Sequence, residues 1–223
     1  MALARWMQLC LDASDAAVAG AFWAGVLSLQ VEPQPGGGAV LRSDGPGRSV
    51  WVNRVPEPKV VKNRVHLDLV RSTFEPLLDA GAEVRREAAY DRYRWTVLAD
   101  PEGNEFCVFD GRNDDPTALV VDSADPVGLA AWWAGVLDAR QVTAPGGDRR
   151  WLADVPGLPW DVVKFVGVND PRTVKNRVHW DVVSGDVDAL VVRGARVLRK
   201  ADGAVRWHVL ADPEGNEFCV FAP

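Results

Sequence analysis

The sequence predicts an α+β protein made of two tandem copies of one folding unit, and three observations carry that prediction. Val97 to Phe109 reads VLADPEGNEFCVF and returns letter for letter as Val209 to Phe221. VKNRVH at Val61 to His66 returns at Val174 to His179, so the spacing is 113 residues at the histidine and 112 at the valine that opens the longer match. Near the start of each copy, Asp12-Ala-Ser-Asp15 before Phe22-Trp23-Ala-Gly-Val-Leu27 parallels Asp122-Ser-Ala-Asp125 before Trp132-Trp133-Ala-Gly-Val-Leu137. A period this long exceeds the roughly 20–50 residues of solenoid and propeller repeats. The chain of 223 residues therefore divides into a domain at 1–110, a polar linker at 111–117 (GRNDDPT) and a second domain at 118–223. Each is near the usual domain size of about 100–150 residues and can bury a core.

The elements of the first copy come in a regular order. Arg5 to Asp12 alternates as a strand does, and Ser14 or Asp15 is a suitable N-cap for the apolar stretch after it. Val18, Phe22 and Val26 fall at i, i+4 and i+8, which places them on one helical face. Ala39–Arg42 and Ser49–Arg54 read as strands separated by the turn-rich Ser43-Asp-Gly-Pro-Gly. The pattern then restarts: Arg64 to Val70 is a strand, and Thr73 to Ala80 is a helix carrying Phe74, Leu77 and Leu78, with Gly81 at its C-terminal end. Tyr93–Ala99 and Glu105–Phe109 flank Asp100-Pro-Glu-Gly-Asn104, where Pro presets φ and Gly103 accepts the left-handed conformation that closes a hairpin. Each copy thus holds two β-α-β-β-β modules, and the chain holds four.

The hairpin sets which side chains share a face. Pairing Asp100 with Asn104 puts Ala99 opposite Glu105, Val97 opposite Cys107 and Trp95 opposite Phe109. Glu105, Cys107 and Trp95 then share one surface, and Phe106 and Val108 the other. By the same count His208 pairs with Val220, away from Cys219. On the strand from Arg64, residues Val65, Leu67 and Leu69 face the helices and leave Arg64, His66 and Asp68 on the opposite side. A polar row on the inner face of a curved sheet marks a pocket, although a solvated outer face has the same pattern.

Composition bounds the partners. With 48% hydrophobic and 25% charged residues the chain is an ordinary globular protein. Its net charge of −6 and pI near 5.1 argue against nucleic acid or an anionic membrane, both of which need a basic patch. No apolar run reaches the roughly 18 residues of a membrane span, and Met1-Ala-Leu-Ala-Arg-Trp lacks the pattern of a signal peptide, so a cytoplasmic location is expected. The three cysteines Cys10, Cys107 and Cys219 read as reduced thiols. Ten tryptophans are many for this length. Core packing accounts for most of them, while Trp6, Trp51 and Trp95, with Asp68, are assigned to the wall of a ligand pocket.

Paired β-α-β-β-β modules, a histidine on the first strand of the second module and a last hairpin built on D-P-x-G-N together resemble the vicinal oxygen chelate superfamily. VPEPKVVKNRVHLDL with LADPEGNEFCVF is similar to its glyoxalase-like proteins. The resemblance runs from about Trp6 to Phe109 and from about Leu119 to Phe221. It implies two modules per domain curled into a cup-like mixed sheet with helices outside. It also implies a divalent metal (zinc, nickel, manganese or iron) held by side chains of the first and last strands of each module, or no metal at all, as in the bleomycin-resistance branch. Gln8 and His66 match ligand positions. Four residues after the hairpin glycine, where a glutamate is usual, stands Cys107, and where the first module would place another glutamate stands Asn53, with Glu57 beyond it. The second copy has Ala118, Val166, His179 and Cys219 at these places.

The implied metal ligands are therefore Gln8, His66 and Cys107, with His179 and Cys219 as a poorer set, and the implied general base is Glu105, with Glu217 its repeat. The implied function is binding of a small organic molecule in a sheet-lined cavity. That goes either with lyase or isomerase chemistry of glyoxalase type at a degenerate metal site, or with metal-free binding or drug sequestration. Extradiol dioxygenase chemistry is disfavoured, because it wants two histidines with a carboxylate and the chain has only His66, His179 and His208. The residues themselves leave alternatives. Each strand histidine reads equally as one bonded to a neighbouring carboxylate, each repeated cysteine as a small buried apolar group, and the glutamates and aspartates as ion-pair partners. The protein is expected as a monomer or homodimer, with one copy serving as scaffold in place of a partner subunit as a further reading.

Overall fold

The computed structural model describes residues 2–43, 49–89, 94–111, 117–143 and 150–223. Most of the Ser43 turn, Tyr93 and the middle of the expected linker lie outside the described residues. The first module runs β1 (Arg5–Ala13), α1 (Ala16–Leu27), β2 (Gln30–Pro33), β3 (Ala39–Arg42) and β4 (Ser49–Arg54). The second runs β5 (Val65–Arg71), α2 (Glu75–Asp79), β6 (Glu83–Arg86), β7 (Trp95–Ala99) and β8 (Glu105–Asp110). The third runs β9 (Ala118–Ser123), α3 (Pro126–Leu137), β10 (Arg140–Thr143), β11 (Arg150–Ala153) and β12 (Val162–Gly167). The fourth runs β13 (Val178–Val183), α4 (Val187–Val192), β14 (Arg196–Arg199), β15 (His208–Ala211) and β16 (Glu217–Phe221). Among the described residues no helix is long and apolar enough to cross a membrane.

The class is α+β, as expected, with two mixed eight-stranded sheets. One has the order β14-β15-β16-β13-β1-β4-β3-β2 and the other β10-β11-β12-β9-β5-β8-β7-β6. The two modules of one sequence copy therefore do not share a sheet. The first module joins the fourth through an antiparallel β1/β13 seam, and the second joins the third through β5/β9. Every concave face is consequently built from both copies.

Local chemistry explains the elements. The Asp15 carboxylate accepts the backbone N–H groups of Ala17 and Val18 at 3.0 and 3.1 Å, which caps α1, and Ser28 at φ 56 ends it. The buried stripe of α1 is centred on Ala19, Phe22, Trp23 and Val26, so Val18 falls off it and is exposed. Val65, Leu67 and Leu69 enter the core as expected, with Phe106, Trp133, Phe165 and Phe218. Trp6 enters it too, rather than a pocket. It is 5% exposed, stacked on Trp180 at 6.1 Å and edge-on to Trp160 at 6.0 Å. The cause is a register shift between Trp6 and Gln8, which pair with consecutive residues Val182 and Asp181. A bulge of this kind sends two residues that simple alternation would put on one face to opposite faces.

The duplicated hairpin pairs as the sequence predicts, Ala99 with Glu105, Val97 with Cys107 and Trp95 with Phe109, and His208 stands opposite Val220. Its residues also bind the rest of the fold. Asp100 accepts the N–H groups of Glu102 (2.9 Å) and Asn104 (2.8 Å), the Asn104 amide (2.9 Å) and the Trp23 indole N–H (2.8 Å). Asn104 accepts the Asn63 amide at 2.9 Å, and Asn216 accepts that of Asn176 at the same distance. VKNRVH is thus the clamp that ties the strand entry to the hairpin. Arg64 and Arg177 complete it by donating to the carbonyls of Asp170 and Glu57, both at 2.7 Å.

Glu102 accepts the Ser14 hydroxyl at 2.6 Å and the backbone N–H groups of Ser14 (2.7 Å) and Asp15 (3.1 Å). Burial pushes its carboxyl up, but these bonds and the Arg177 guanidinium outweigh burial and hold it below the usual glutamate range. A depressed folded-state value stabilises the fold above the unfolded value of about 4.3, and that stabilisation is lost as pH falls through the folded value. Urea unfolding at pH 7 and near pH 3 should therefore show a smaller acid loss in Glu102→Gln than in the wild type. Equal losses would mean that the carboxylate is not held.

Candidate functional site

On the face of each sheet turned away from the helices lies a buried cluster of ionisable groups. In the β5/β8/β9/β12 sheet it consists of His66 and Asp68 from β5, Cys107 from β8 and Lys164 from β12. The ligand-type atoms of His66, Asp68 and Cys107 all lie within 4.8 Å of one another. The Lys164 ammonium is 2.9 Å from Asp68 Oδ2, and His66 Nε2 is 3.7 Å from Oδ1. Lys164 is only 4% exposed, and its ammonium lies 5.1 Å from the Phe109 ring centre and 5.5 Å from that of Trp151. Trp95 stacks on Phe109 at 5.5 Å, and Ala118, Val120 and Val162 form the apolar floor beneath Trp151. Half-buried His66, Trp95 and Trp151 are the members that solvent reaches. Burial lowers His66 below the ordinary histidine value against the pull of Asp68 and Asp122, which favours the neutral ring at pH 7. Burial, then Asp68, pushes the Cys107 thiol up, so it stays protonated.

The β1/β4/β13/β16 sheet carries the related cluster Cys10, His179, Asp181 and Cys219. Cys10 Sγ donates to Asp181 Oδ2 at 3.1 Å, and the Gln8 amide donates to the same oxygen at 2.8 Å. Cys219 Sγ is 3.8 Å from His179 Nε2, which is 4.0 Å from Asp181 Oδ1. Trp51 pairs with Cys10 as Lys164 pairs with Val120, so an indole stands where the other sheet has its ammonium. Among the described residues, Asp181 Oδ1 and His179 Nδ1 are buried with no hydrogen-bond partner. Burial lowers His179 and raises both thiols, with Asp181 adding to the rise in each.

Several expected site residues are thereby regrouped. Gln8 is separated from His66 and Cys107, because its strand belongs to the other sheet, and the thiols, histidines and aspartates gather as two sets drawn from β-strands of both copies. Glu105 does not stand free as a base: Lys59 Nζ holds one oxygen at 2.8 Å and the Asn63 N–H holds the other at 3.1 Å. Glu217 is held in the same way by Arg172 and the Asn176 N–H. Asn53 donates to Asp12 at 3.1 Å. Trp51 and Trp95 do lie on the concave faces, unlike Trp6. Cys10 and Lys164 escaped the sequence reading. The signal for Lys164 was a lone cation inside the apolar run VVKFVG, which alternation puts on the face opposite Val163 and Phe165.

A cavity of about 630 Å³ opens between the segment preceding β5 and its repeat preceding β13. Val60, Val61, Val168 and Val174 line it with Asp12 and Asp122. Lys175 pairs with Asp12 and Lys62 with Asp122.

Comparison with known proteins agrees with this architecture. Glyoxalase I from Zea mays superposes with a TM-score of 0.64 at 14% identity, covering 97% of this chain and 92% of that one. A Bacillus subtilis strain 168 chain named as a candidate dioxygenase gives 0.65 at 10% identity, covering 99% and 86%. The cppA protein of Streptococcus pneumoniae TIGR4 gives 0.52 at 9% identity, covering 98% and 99%. At such identities these likenesses concern the fold. No curated protein matches the chain in sequence. The family model described as a glyoxalase-like domain matches twice, over residues 8–109 and 118–221. With both copies matched in sequence and the paired-module sheets matched in structure, the chain belongs to the glyoxalase-like domain family of the vicinal oxygen chelate superfamily, as a tandem pair.

Proposed function

We propose that the chain binds a small, flat organic molecule bearing an acceptor oxygen on the concave face of the β5/β8/β9/β12 sheet, without a metal ion at that face. The buried Lys164 ammonium carries this reading. A divalent ion among His66, Asp68 and Cys107 would compete with that ammonium for the one carboxylate present, and the remaining donors are a protonated thiol and an imidazole. This set does not suit the hard, oxygen-rich metal sites of glyoxalase chemistry. Lys164 instead supplies a fixed positive charge with three donors, of which Asp68 takes one. A carbonyl or phenolic oxygen would accept another, where burial strengthens the interaction relative to water. Trp95, Phe109 and Trp151 offer flat apolar surface to the body of the ligand.

Lyase or isomerase chemistry is less well supported, since Glu105 is engaged by Lys59 and the Asn63 N–H and burial keeps Cys107 protonated. Binding without turnover, as in the bleomycin-resistance branch, accords better with these groups. The test is tryptophan fluorescence titration with a panel of aryl ketones and phenols that includes 4-hydroxyacetophenone. Saturable quenching that withstands chelator and weakens at least tenfold in Lys164→Met is expected. No quenching across the panel, quenching abolished by chelator, or undiminished affinity in Lys164→Met would contradict the reading.

A further inference from the structure

We infer that the 630 Å³ cavity between the two VKNRVH segments is a ligand site in its own right, for a dianion with an aliphatic body, of the α,ω-dicarboxylate class. Apart from Asp12 and Asp122, its lining comes from two stretches, 55–64 and 168–177, which the 113-residue repeat makes equivalent. The cavity is therefore two-fold in its chemistry, and each half supplies a lysine, an arginine and exposed valine. Its volume falls within the range of about 300–1,000 Å³ usual for small-molecule sites. It is built from the segments that enter β5 and β13 rather than from a sheet face, and the inference is independent of the ligand reading for the Lys164 face.

The body of the ligand follows from the walls. Val60, Val61 and Val174 are 72%, 40% and 38% exposed, so apolar surface faces water on both halves. Covering it is favourable in proportion to the area removed from water. Among the described residues no aromatic ring lines the cavity, so a flat molecule has nothing to stack on, in contrast to the Lys164 face. The ends of the ligand follow from the donors. Lys62 and Lys175 are each fixed by a carboxylate that is almost enclosed, at 8% exposure for Asp122 and 4% for Asp12, while their own side chains are 57% and 61% exposed. Each ammonium therefore has donors beyond the one its aspartate takes. Arg64 donates to the Asp170 carbonyl, and among the described residues no carboxylate pairs with its guanidinium. Among the same residues, Nε of Arg172 and Nε of Arg177 are buried without a hydrogen-bond partner. Buried donors without acceptors are unfavourable, and an anionic oxygen supplies what they lack. Because the cations recur on both halves, a dicarboxylate answers them at both ends, whereas a monocarboxylate answers one and a diamine meets like charge.

The experiment is calorimetric titration of the full chain, at low salt and in chelator, with hexanedioate, octanedioate, decanedioate and dodecanedioate. At least one should bind saturably at one equivalent, about tenfold or more tightly than the monocarboxylate and the diamine of the same length. Lys62→Gln and Lys175→Gln should each weaken binding by about tenfold, as loss of a charge-assisted hydrogen bond does. Val61→Glu and Val174→Glu, which bring a carboxylate to exposed places on the walls and leave both ion pairs in place, should each abolish binding in chains with wild-type circular dichroism. The test therefore does not depend on how the lysine variants fold. No saturable binding by any of the four diacids, equal affinity for the monocarboxylate or the diamine, or undiminished affinity in Val61→Glu or Val174→Glu would each overturn the assignment.

Discussion

Lys164→Met is expected to destabilise the protein by about 3–5 kcal/mol at pH 7, the usual cost of removing one partner from a buried ion pair. Both side chains are almost fully enclosed, at 6% exposure for Lys164 and 7% for Asp68, so the bereaved carboxylate cannot be rehydrated in place. The second mutation distinguishes this mechanism from lost packing. Lys164→Met combined with Asp68→Leu should recover most of the loss, because an apolar pair of similar volume carries neither charge nor desolvation cost. Urea denaturation of the four members of the cycle measures all of this. A single-mutant loss near 1 kcal/mol, or a double mutant no better than the single, would show that the ammonium is not what keeps Asp68 in the sheet.

Asp100→Ala should cost a similar amount, about 3–5 kcal/mol, for a different reason. The carboxylate gathers two backbone N–H groups of the hairpin, the Asn104 amide and the Trp23 indole, and removing it leaves these donors unsatisfied in a site that admits little water. Burial pushes Asp100 up and the hydrogen bonds pull it back, so the acceptor is retained only because every donor points at it. Asp212→Ala should behave alike, since it holds Glu214, Asn216 and Trp133 in the same way. Amide exchange should accelerate in the 97–109 hairpin and at the start of α1 together, because Trp23 and Glu102 bind the two elements to each other. A loss below about 1 kcal/mol, or acceleration confined to the hairpin, would count against that coupling.

The particular residues show why some features were legible in the sequence. The hairpin register followed from Asp100-Pro-Glu-Gly-Asn104 alone, with Gly103 at φ 81 closing the turn, because loop length and glycine position determine which residues face each other. The core face of β5 followed from alternation. Module partnership was hidden, since β1 and β13 lie far apart in sequence and no local pattern states which seam forms. That is why Gln8 was grouped with His66. Trp6 was misplaced by a bulge that leaves no mark in hydrophobic periodicity, and the edge strands β2 and β6 were missed because their residues are nearly all exposed and lack a two-residue rhythm. In the VKNRVH repeat the Asn and Arg make the clamp, while Lys62 and Lys175 pair with Asp122 and Asp12. Lys164 was readable in principle, as a charge interrupting an apolar strand.

The most direct test of the functional account is a crystal structure of the full chain soaked with 4-hydroxyacetophenone in the presence of chelator. The account predicts the ring against Trp95, Phe109 or Trp151, with an oxygen hydrogen-bonded to Lys164 Nζ. Density confined to the 630 Å³ cavity between the two VKNRVH segments, with the Lys164 face unchanged, would contradict it.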